Sequence, residues 1–153
     1  MMAGRHLGLI GGLWPDATVH YYRRLLAIHE KAGHTPRLTI AHADVGTVRS
    51  YVTANDIDGL ACYLNGLTGE LARGGAELTA IVAVTPHICA KQLANISLLA
   101  LVDMIAEVTG ALRQPGIRRV ALLGTRFTIE TRMFGGLADT APRFTSTPSP
   151  RDS

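Results

Sequence analysis

The sequence predicts a three-layer, doubly wound α/β fold built on a parallel sheet of four to five strands. Two observations predict this fold class. Short apolar runs of strand length alternate along the chain with longer segments of helical periodicity. Several of the runs also end abruptly in glycine or polar residues, as buried parallel strands do at the carboxyl edge of a sheet. A length of 153 residues suits one ordinary domain.

The first part of the chain supplies two strands and a helix. A short apolar strand covers residues 6–10 and ends at Gly11-Gly12, and a helix follows over 16–31. The second strand covers 37–41 and leads into a polar loop at 43–47.

The middle of the chain contains the longest helical pattern. Residues 48–54 are ambiguous, and Asn55 or Asp56 then caps a helix that runs to about Arg73 with one apolar stripe. The central strand covers 78–84. The later elements are a helix at 86–94, a strand at 96–102, a helix at 102–112, a strand at 119–123 and a last helix capped by Thr128.

The character of the sequence changes after residue 137. Residues 138–153 have no periodicity and are rich in Pro, Ser and Thr, so we expect them to be disordered. The predicted organisation is one α/β domain at 1–137 and a tail at 138–153.

Composition limits the classes of partner. The net charge is only +3 and aromatic residues make up 5% of the chain, which disfavours nucleic-acid binding. No apolar run approaches the roughly 18 residues of a membrane span. The N-terminal apolar run is too short for a signal peptide, so we expect a cytoplasmic protein.

The cysteines and histidines give no case for a metal site. Cys62 and Cys89 fall in predicted helices, where buried small apolar side chains are the better interpretation. The six histidines lack the spacing of metal ligands.

The glycines after the first strand do not fit a nucleotide-binding motif. The run G-L-I-G-G has the spacing G-x-x-G-G, whereas the dinucleotide fingerprint needs G-x-G-x-x-G, and no Walker A motif is present. Gly11 and Gly12 either let backbone N–H groups approach a small anion or make a tight turn.

A cleft for a small carboxylate is predicted at the carboxyl edge of the sheet. Thr85 and Thr125 each follow a strand, and such ends share one edge with Gly11-Gly12 and Asp44. Thr85 as N-cap and Pro86 in the first helical position would direct free N–H groups there. A carboxylate or phosphate could then bind without a metal or cofactor. The alternative, which local chemistry alone favours, is an ordinary capped junction.

Two charged or titratable side chains are candidates for this cleft. Arg49, after the loop of the second strand, could hold a carboxylate, but local chemistry alone favours a solvated surface residue. His87 could act as a general base, although a histidine at this helical position is more often a simple polar residue.

Four stretches of the chain then stand out together: L-G-L-I-G-G-L-W-P-D-A-T-V-H-Y-Y, G-G-A-E-L, V-T-P-H and I-R-R-V-A-L-L-G-T-R-F-T. In combination they resemble the aspartate/glutamate racemase family of cofactor-independent amino-acid racemases, over about residues 5–137. The family motifs read like I-G-x-x-G-G-x-x-P-x-A-T-x-x-Y-Y, C-N-T-x-H and L-L-G-T-x-x-T.

The resemblance implies a pseudo-symmetric enzyme of two α/β domains with the active site between them. One thiol from each domain faces the substrate Cα, and one removes the proton while the other returns it on the opposite face. No cofactor is implied. The substrate-binding positions implied for this chain are Gly11, Gly12, Arg49, Val84, Thr85, Gly124 and Thr125, and His87 matches the histidine of the second motif.

The sequence departs from the family pattern in three ways. The position of the first catalytic cysteine is Ala83, and a methyl group cannot carry a proton. The position of the substrate-binding asparagine is Val84. The chain also ends where the second domain, with the second cysteine, is expected to begin.

We therefore expect an isomerase of amino-acid metabolism by family, truncated and weak or inactive. The alternative is a pseudoenzyme that binds small carboxylates or serves as a partner subunit. The expected partners are a small carboxylate or amino acid and a second copy of the chain, through the exposed face where the missing domain would dock.

Overall fold

The computed structural model describes residues 4–113, 117, 120–122, 124, 127, 128, 134, 145 and 146. The chain forms two compact units, Met1–Asp103 and Met104–Ser153. This division falls inside the predicted domain at 1–137, whose own boundary lies outside the described residues.

The first unit is built on a four-stranded parallel sheet with the strand order β2-β1-β3-β4. Helices flank this sheet, so the predicted α/β class is confirmed. The strands are β1 (Leu7–Gly11), β2 (Leu38–His42), β3 (Leu78–Ile81) and β4 (Ala100–Val102). The helices of this unit are α1 (Pro15–Lys31), α2 (Val45–Thr53), α3 (Ile57–Arg73) and α4 (Ala90–Ile96).

The core of this unit lies between α3 and one face of the sheet. The predicted apolar stripe of α3 is the face that it buries, including Leu60, Leu64 and Leu71, each with no exposed surface. Gly8 in β1 permits the close approach, because a Cβ atom there would lie 3.0 Å from Leu71 Cδ1. Ile10, two residues further along β1, belongs to the same core.

Helix α1 follows β1 directly and approaches the sheet near Gly11. A Cβ atom on Gly11 would lie 2.6 Å from Thr18 Cγ2 of α1, so the missing side chain allows this contact. Every residue of α1 is described and none is buried. Its apolar side chains include Val19, which is 46% exposed, and Leu26, which is 37% exposed.

Helix α2 replaces the predicted polar loop at 43–47 and the ambiguous segment at 48–54. It begins at Val45 because the Asp44 side chain accepts a hydrogen bond from the Thr47 N–H at 2.6 Å and caps the first turn. Val48 then faces the core and is 5% exposed.

Strand β3 is shorter than predicted, because only residues 78–81 lie in the strand. Val82 still donates its N–H to the Ile10 carbonyl at 3.1 Å, but the next residues bend into a 3-10 turn, Thr85–Cys89, before α4. Thr85 is therefore not the N-cap that the sequence predicted. Val84 occupies that position, and it already has helical φ and ψ angles of −76° and −51° without a side-chain cap.

The second unit contains α5 (Met104–Leu112) and a parallel pair of short strands, β5 (Ala121–Leu122) and β6 (Thr145–Ser146). Two residues of the strand predicted at 119–123, Ala121 and Leu122, thus pair with β6 in a two-stranded sheet. Of the helix predicted after Thr128, only Phe134 is described, and it lies in a turn. The tail predicted at 138–153 is described only at β6.

Candidate functional site

The carboxyl ends of β2, β1 and β3 meet at one edge of the sheet. His42 pairs with Gly11 in the parallel register, and the Ala43 N–H donates to the Gly11 carbonyl at 2.8 Å. On the other side of β1, Ile10 pairs with Ile81. The structure therefore brings the predicted residues Gly11, Gly12, Ala83 and Asp44 to the same edge.

The glycine turn after β1 is a packed structural feature. Gly12 has a φ angle of +88°, which favours glycine, and its N–H donates to Thr18 Oγ1 at 3.0 Å. A Cβ atom on Gly12 would lie 2.6 Å from His42 Nδ1 and 2.8 Å from the Ala43 carbonyl oxygen. Because the Gly12 N–H is already used, the structure favours the tight turn over a backbone anion site at this residue.

A hydrogen-bonded turn carries the residues that follow β3. The His87 backbone N–H donates to the Val84 carbonyl at 3.0 Å, and the His87 ring donates from Nδ1 to the Ala83 carbonyl at 2.8 Å. Ala83, Val84 and Thr85 are each half-buried. The side chain of His87 therefore ties the end of the strand to the first residues of the 3-10 turn.

His87 is a buried and neutral imidazole. It is 6% exposed, and burial lowers its pKa, although the Ala83 carbonyl and the charge of Asp103 act in the opposite direction. Since Nδ1 carries the proton, Nε2 holds a lone pair, and it has no hydrogen-bond partner among the described residues. Such a nitrogen can accept a proton or a hydrogen bond.

The lowered pKa of His87 predicts a loss of stability in mild acid. The unfolded imidazole titrates near 6.5, so below that pH the unfolded chain binds more protons than the folded chain. Stability from this group is complete above pH 6.5 and is lost as the pH falls toward the folded pKa. We expect His87→Asn, whose amide N–H can still reach the Ala83 carbonyl, to remove that part of the pH dependence.

Urea unfolding at pH 7.5 and 5.5 would measure this effect. The matched control is His34→Asn, because His34 is exposed and its substitution should leave the wild-type pH dependence unchanged. Equal pH dependence in wild type and His87→Asn would contradict the assignment of a buried neutral imidazole.

The other predicted site residues, Arg49, Gly124 and Thr125, stay predictions. Arg49 lies on α2 with an exposed side chain. Gly124 belongs to the second unit, where an added Cβ atom would meet Thr128 at 3.4 Å. Thr125 lies outside the described residues.

Two residues at this edge were missed by the sequence analysis. The hydroxyl oxygen of Tyr63, from α3, accepts a hydrogen bond from the Asp44 N–H at 2.8 Å. His42 lies against Gly12 with an exposed side chain. Tyr63 gives no local sequence signal, whereas His42 could have been found as the last residue of the second strand once its register with Gly11 was known.

The cysteines differ in their surroundings. Cys89 is fully buried, its thiol donates to the Pro86 carbonyl at 3.2 Å, and burial raises its pKa to about 11. It is therefore a neutral thiol at physiological pH. Cys62 is exposed, which corrects the prediction that both cysteines are buried, because it lies off the apolar stripe of α3.

Two further kinds of feature are absent from the described residues. Within them, no three or more His, Cys, Asp or Glu side chains lie together as a metal site would require. No helix in the described part of the chain has the length and apolar character needed to cross a membrane.

The first unit is an open parallel α/β sheet. Proteins of this class bind their ligands at the carboxyl ends of the strands. A sequence model of the Asp/Glu/hydantoin racemase family matches residues 10–144. The chain belongs to this family, as its motifs predicted.

Several solved structures have the same fold. One is an aspartate racemase homologue from Pyrococcus horikoshii OT3, at 25% identity and a TM-score of 0.79, with 95% of this chain and 66% of that chain covered. Another is the aspartate racemase of Picrophilus torridus, at 23% identity and a TM-score of 0.76, with 94% and 62% covered. The chain thus spans less than two thirds of the length of these proteins.

Proposed function

We propose that this chain is a racemase-type domain that binds a small carboxylate or amino acid at the sheet edge formed by β1, β2 and β3. The family match over residues 10–144 carries this proposal. The edge offers polar groups from several elements, among them the imidazoles of His42 and His87. The ligand class follows from the family and needs no cofactor.

We further propose that the chain alone racemises weakly or not at all. Ala83 stands where the family carries the proton-transferring cysteine, and its methyl group has no titratable proton. Cys89 lies on this turn, but its high pKa leaves it without a useful thiolate population. A positioned general base typically contributes 10²- to 10⁴-fold to the rate of a proton transfer, so its loss is large.

The second candidate function is a binding module without catalysis, acting alone, as a pair of copies or as a partner subunit. The observation that favours it is the double departure at Ala83 and Val84, which removes a proton carrier and a substrate hydrogen-bond partner together. Binding through the remaining edge would not need either group. A cytoplasmic location fits both candidates and stays a prediction.

Proton NMR in D2O tests both candidates in one sample. The purified chain is incubated with the L and D forms of aspartate and glutamate, and the Cα proton signal is followed over time. Line widths of the same amino acids and of succinate report binding. If the chain binds without catalysis, we expect the ligand signals to broaden with little or no loss of the Cα proton signal.

The possible results separate the candidates. Rapid exchange with inversion would overturn the proposal of weak activity, since proton transfer would then proceed without the expected thiols. Exchange without inversion would identify one working base, for which His87 is the first residue to substitute. Neither broadening nor exchange would overturn the proposed ligand class.

A further inference from the structure

We propose that His42 is a ligand-contacting residue of this edge and that its imidazole donates a hydrogen bond to the carboxylate of the bound small molecule. The inference rests on the proposed function and adds a residue that neither the motif pattern nor the family resemblance identified. It follows from the packing of the glycine turn, the commitment of nearby backbone donors and the exposure of the ring.

The packing of Gly12 holds the His42 ring at the edge. The Nδ1 and Cε1 atoms of His42 lie 2.6 and 2.7 Å from the place that a Cβ atom of residue 12 would occupy. Only glycine leaves that space free, so the ring rests directly on the turn that ends the central strand. Gly12 thus serves this site by making room for an imidazole.

The backbone N–H groups around this turn are already committed. Gly12 donates to Thr18 Oγ1, Ala43 donates to the Gly11 carbonyl and Asp44 donates to Tyr63 Oη. These three donors are unavailable to an anion. The His42 side chain is exposed, and an imidazole has at least one N–H in either tautomer, so it can supply the donor that the turn does not.

Asp44 places an ionised carboxylate near the His42 ring. One Asp44 carboxylate oxygen accepts the Thr47 N–H, which is the first cause of the lowered pKa of Asp44, and the nearby His42 charge lowers it further. The edge therefore presents an imidazole N–H donor next to an ionised carboxylate. That pairing suits a zwitterionic ligand, with its carboxylate at His42 and its ammonium group on the Asp44 side.

The position of His42 is compatible with a ligand that also reaches the turn after β3. Strand β1 alone separates β2 from β3, so the ends of the outer two strands lie about 10 Å apart. The end of β1 consists of Gly11 and Gly12, which place no side chain of their own between them.

Titration of the full chain with L-aspartate and, separately, succinate tests this inference. Histidine labelled at Cε1 allows each ring signal to be followed by NMR, and His42→Ala assigns the signal of interest. The expected results are a shift of the His42 ring signal on binding and an affinity about tenfold weaker in His42→Ala, the size of one hydrogen bond to a charged group. His34→Ala, which removes an exposed histidine before β2, should bind as wild type does.

The outcomes distinguish this inference from the function on which it rests. If wild type binds either ligand and His42→Ala binds equally well with no ring shift in wild type, the role of His42 is overturned while the proposed function stands. If wild type binds neither ligand, the proposed function fails and the inference fails with it. The amide spectrum of His42→Ala must match that of wild type, and His42→Gln, which retains a donor, should recover part of the affinity.

Discussion

Substituting Ala83→Cys is expected to raise the rate of Cα hydrogen–deuterium exchange in bound L-aspartate or L-glutamate by about 10²-fold or more. By motif resemblance, Ala83 corresponds to the family's proton-transferring cysteine, and it lies half-buried in the turn after β3. A thiol there would supply a base for removal of the Cα proton of a bound amino acid. Since one thiol serves one face of the substrate, exchange should exceed inversion.

Ala83→Ser is the matched control for this experiment. Serine has a similar size and a hydroxyl that does not ionise near neutral pH, so it should exchange no faster than wild type. The rates are measured by NMR at pH 8, where a thiol of ordinary pKa near 8.5 is partly ionised. Equal rates for the cysteine and serine variants would show that this position does not face a bound amino acid Cα.

The largest expected effect on stability comes from Leu71→Ala, which should lower the free energy of unfolding by about 2–5 kcal/mol. Leu71 has no exposed surface, and its Cδ1 atom fills the space over Gly8 between α3 and the sheet. Removing the side chain leaves a cavity beside a central strand. Neighbouring atoms cannot fill that cavity from β1, because Gly8 has no side chain.

The control for this prediction is the same substitution on the surface. Leu98 is 88% exposed, so Leu98→Ala should change the unfolding free energy by no more than about 0.5 kcal/mol. Both variants can be compared with wild type by urea denaturation at pH 7.5. A small effect for Leu71→Ala would mean that the core between α3 and β1 rearranges to close the cavity.

The elements that were predicted closely are those with strong periodicity and clear ends. Strands β1 and β2 and helices α1 and α3 lie within one or two residues of their predicted bounds. Asp56 caps α3 through the Gly59 N–H at 2.8 Å, one of the two caps that the sequence offered. These features depend on local chemistry, which a single sequence displays.

The elements that were missed depend on competition between local and tertiary preferences. Helix α2 was not predicted because its capping residue, Asp44, comes only two residues after the end of β2 and was assigned to a loop. The sequence predicted a strand through Val84 because the residues after β3 are apolar. Their apolar character comes from burial and not from strand structure, since Val82 is 4% exposed but lies in a bend. Apolar character reports burial and does not by itself distinguish a strand from the turn that follows it.

The sequence could predict where the candidate site lies in the fold, but not the side-chain contacts within it. The strand ends that carry Gly12 and Ala83 could be assigned to one edge from the order of elements alone. The sequence could not predict that His87 Nε2 has no hydrogen-bond partner among the described residues, or that His42 contacts Gly12. Each feature depends on strand register and side-chain direction. Resemblance to a family motif identifies which residues correspond to the family's site residues. Their hydrogen bonds can only be read from a structure.

The central place of β1 in the sheet also has a consequence for synthesis of the chain. Leu7 pairs with Leu38 on one side and with Leu78 on the other, so β1 leaves the ribosome first but gains its second neighbour only after β3 has emerged. Chains emerge at about 5–20 residues per second, which leaves the β3 side of Leu9 and Ile10 unpaired for several seconds. During that interval the growing chain presents an apolar strand edge, and this is the period in which nascent-chain chaperones would be expected to act.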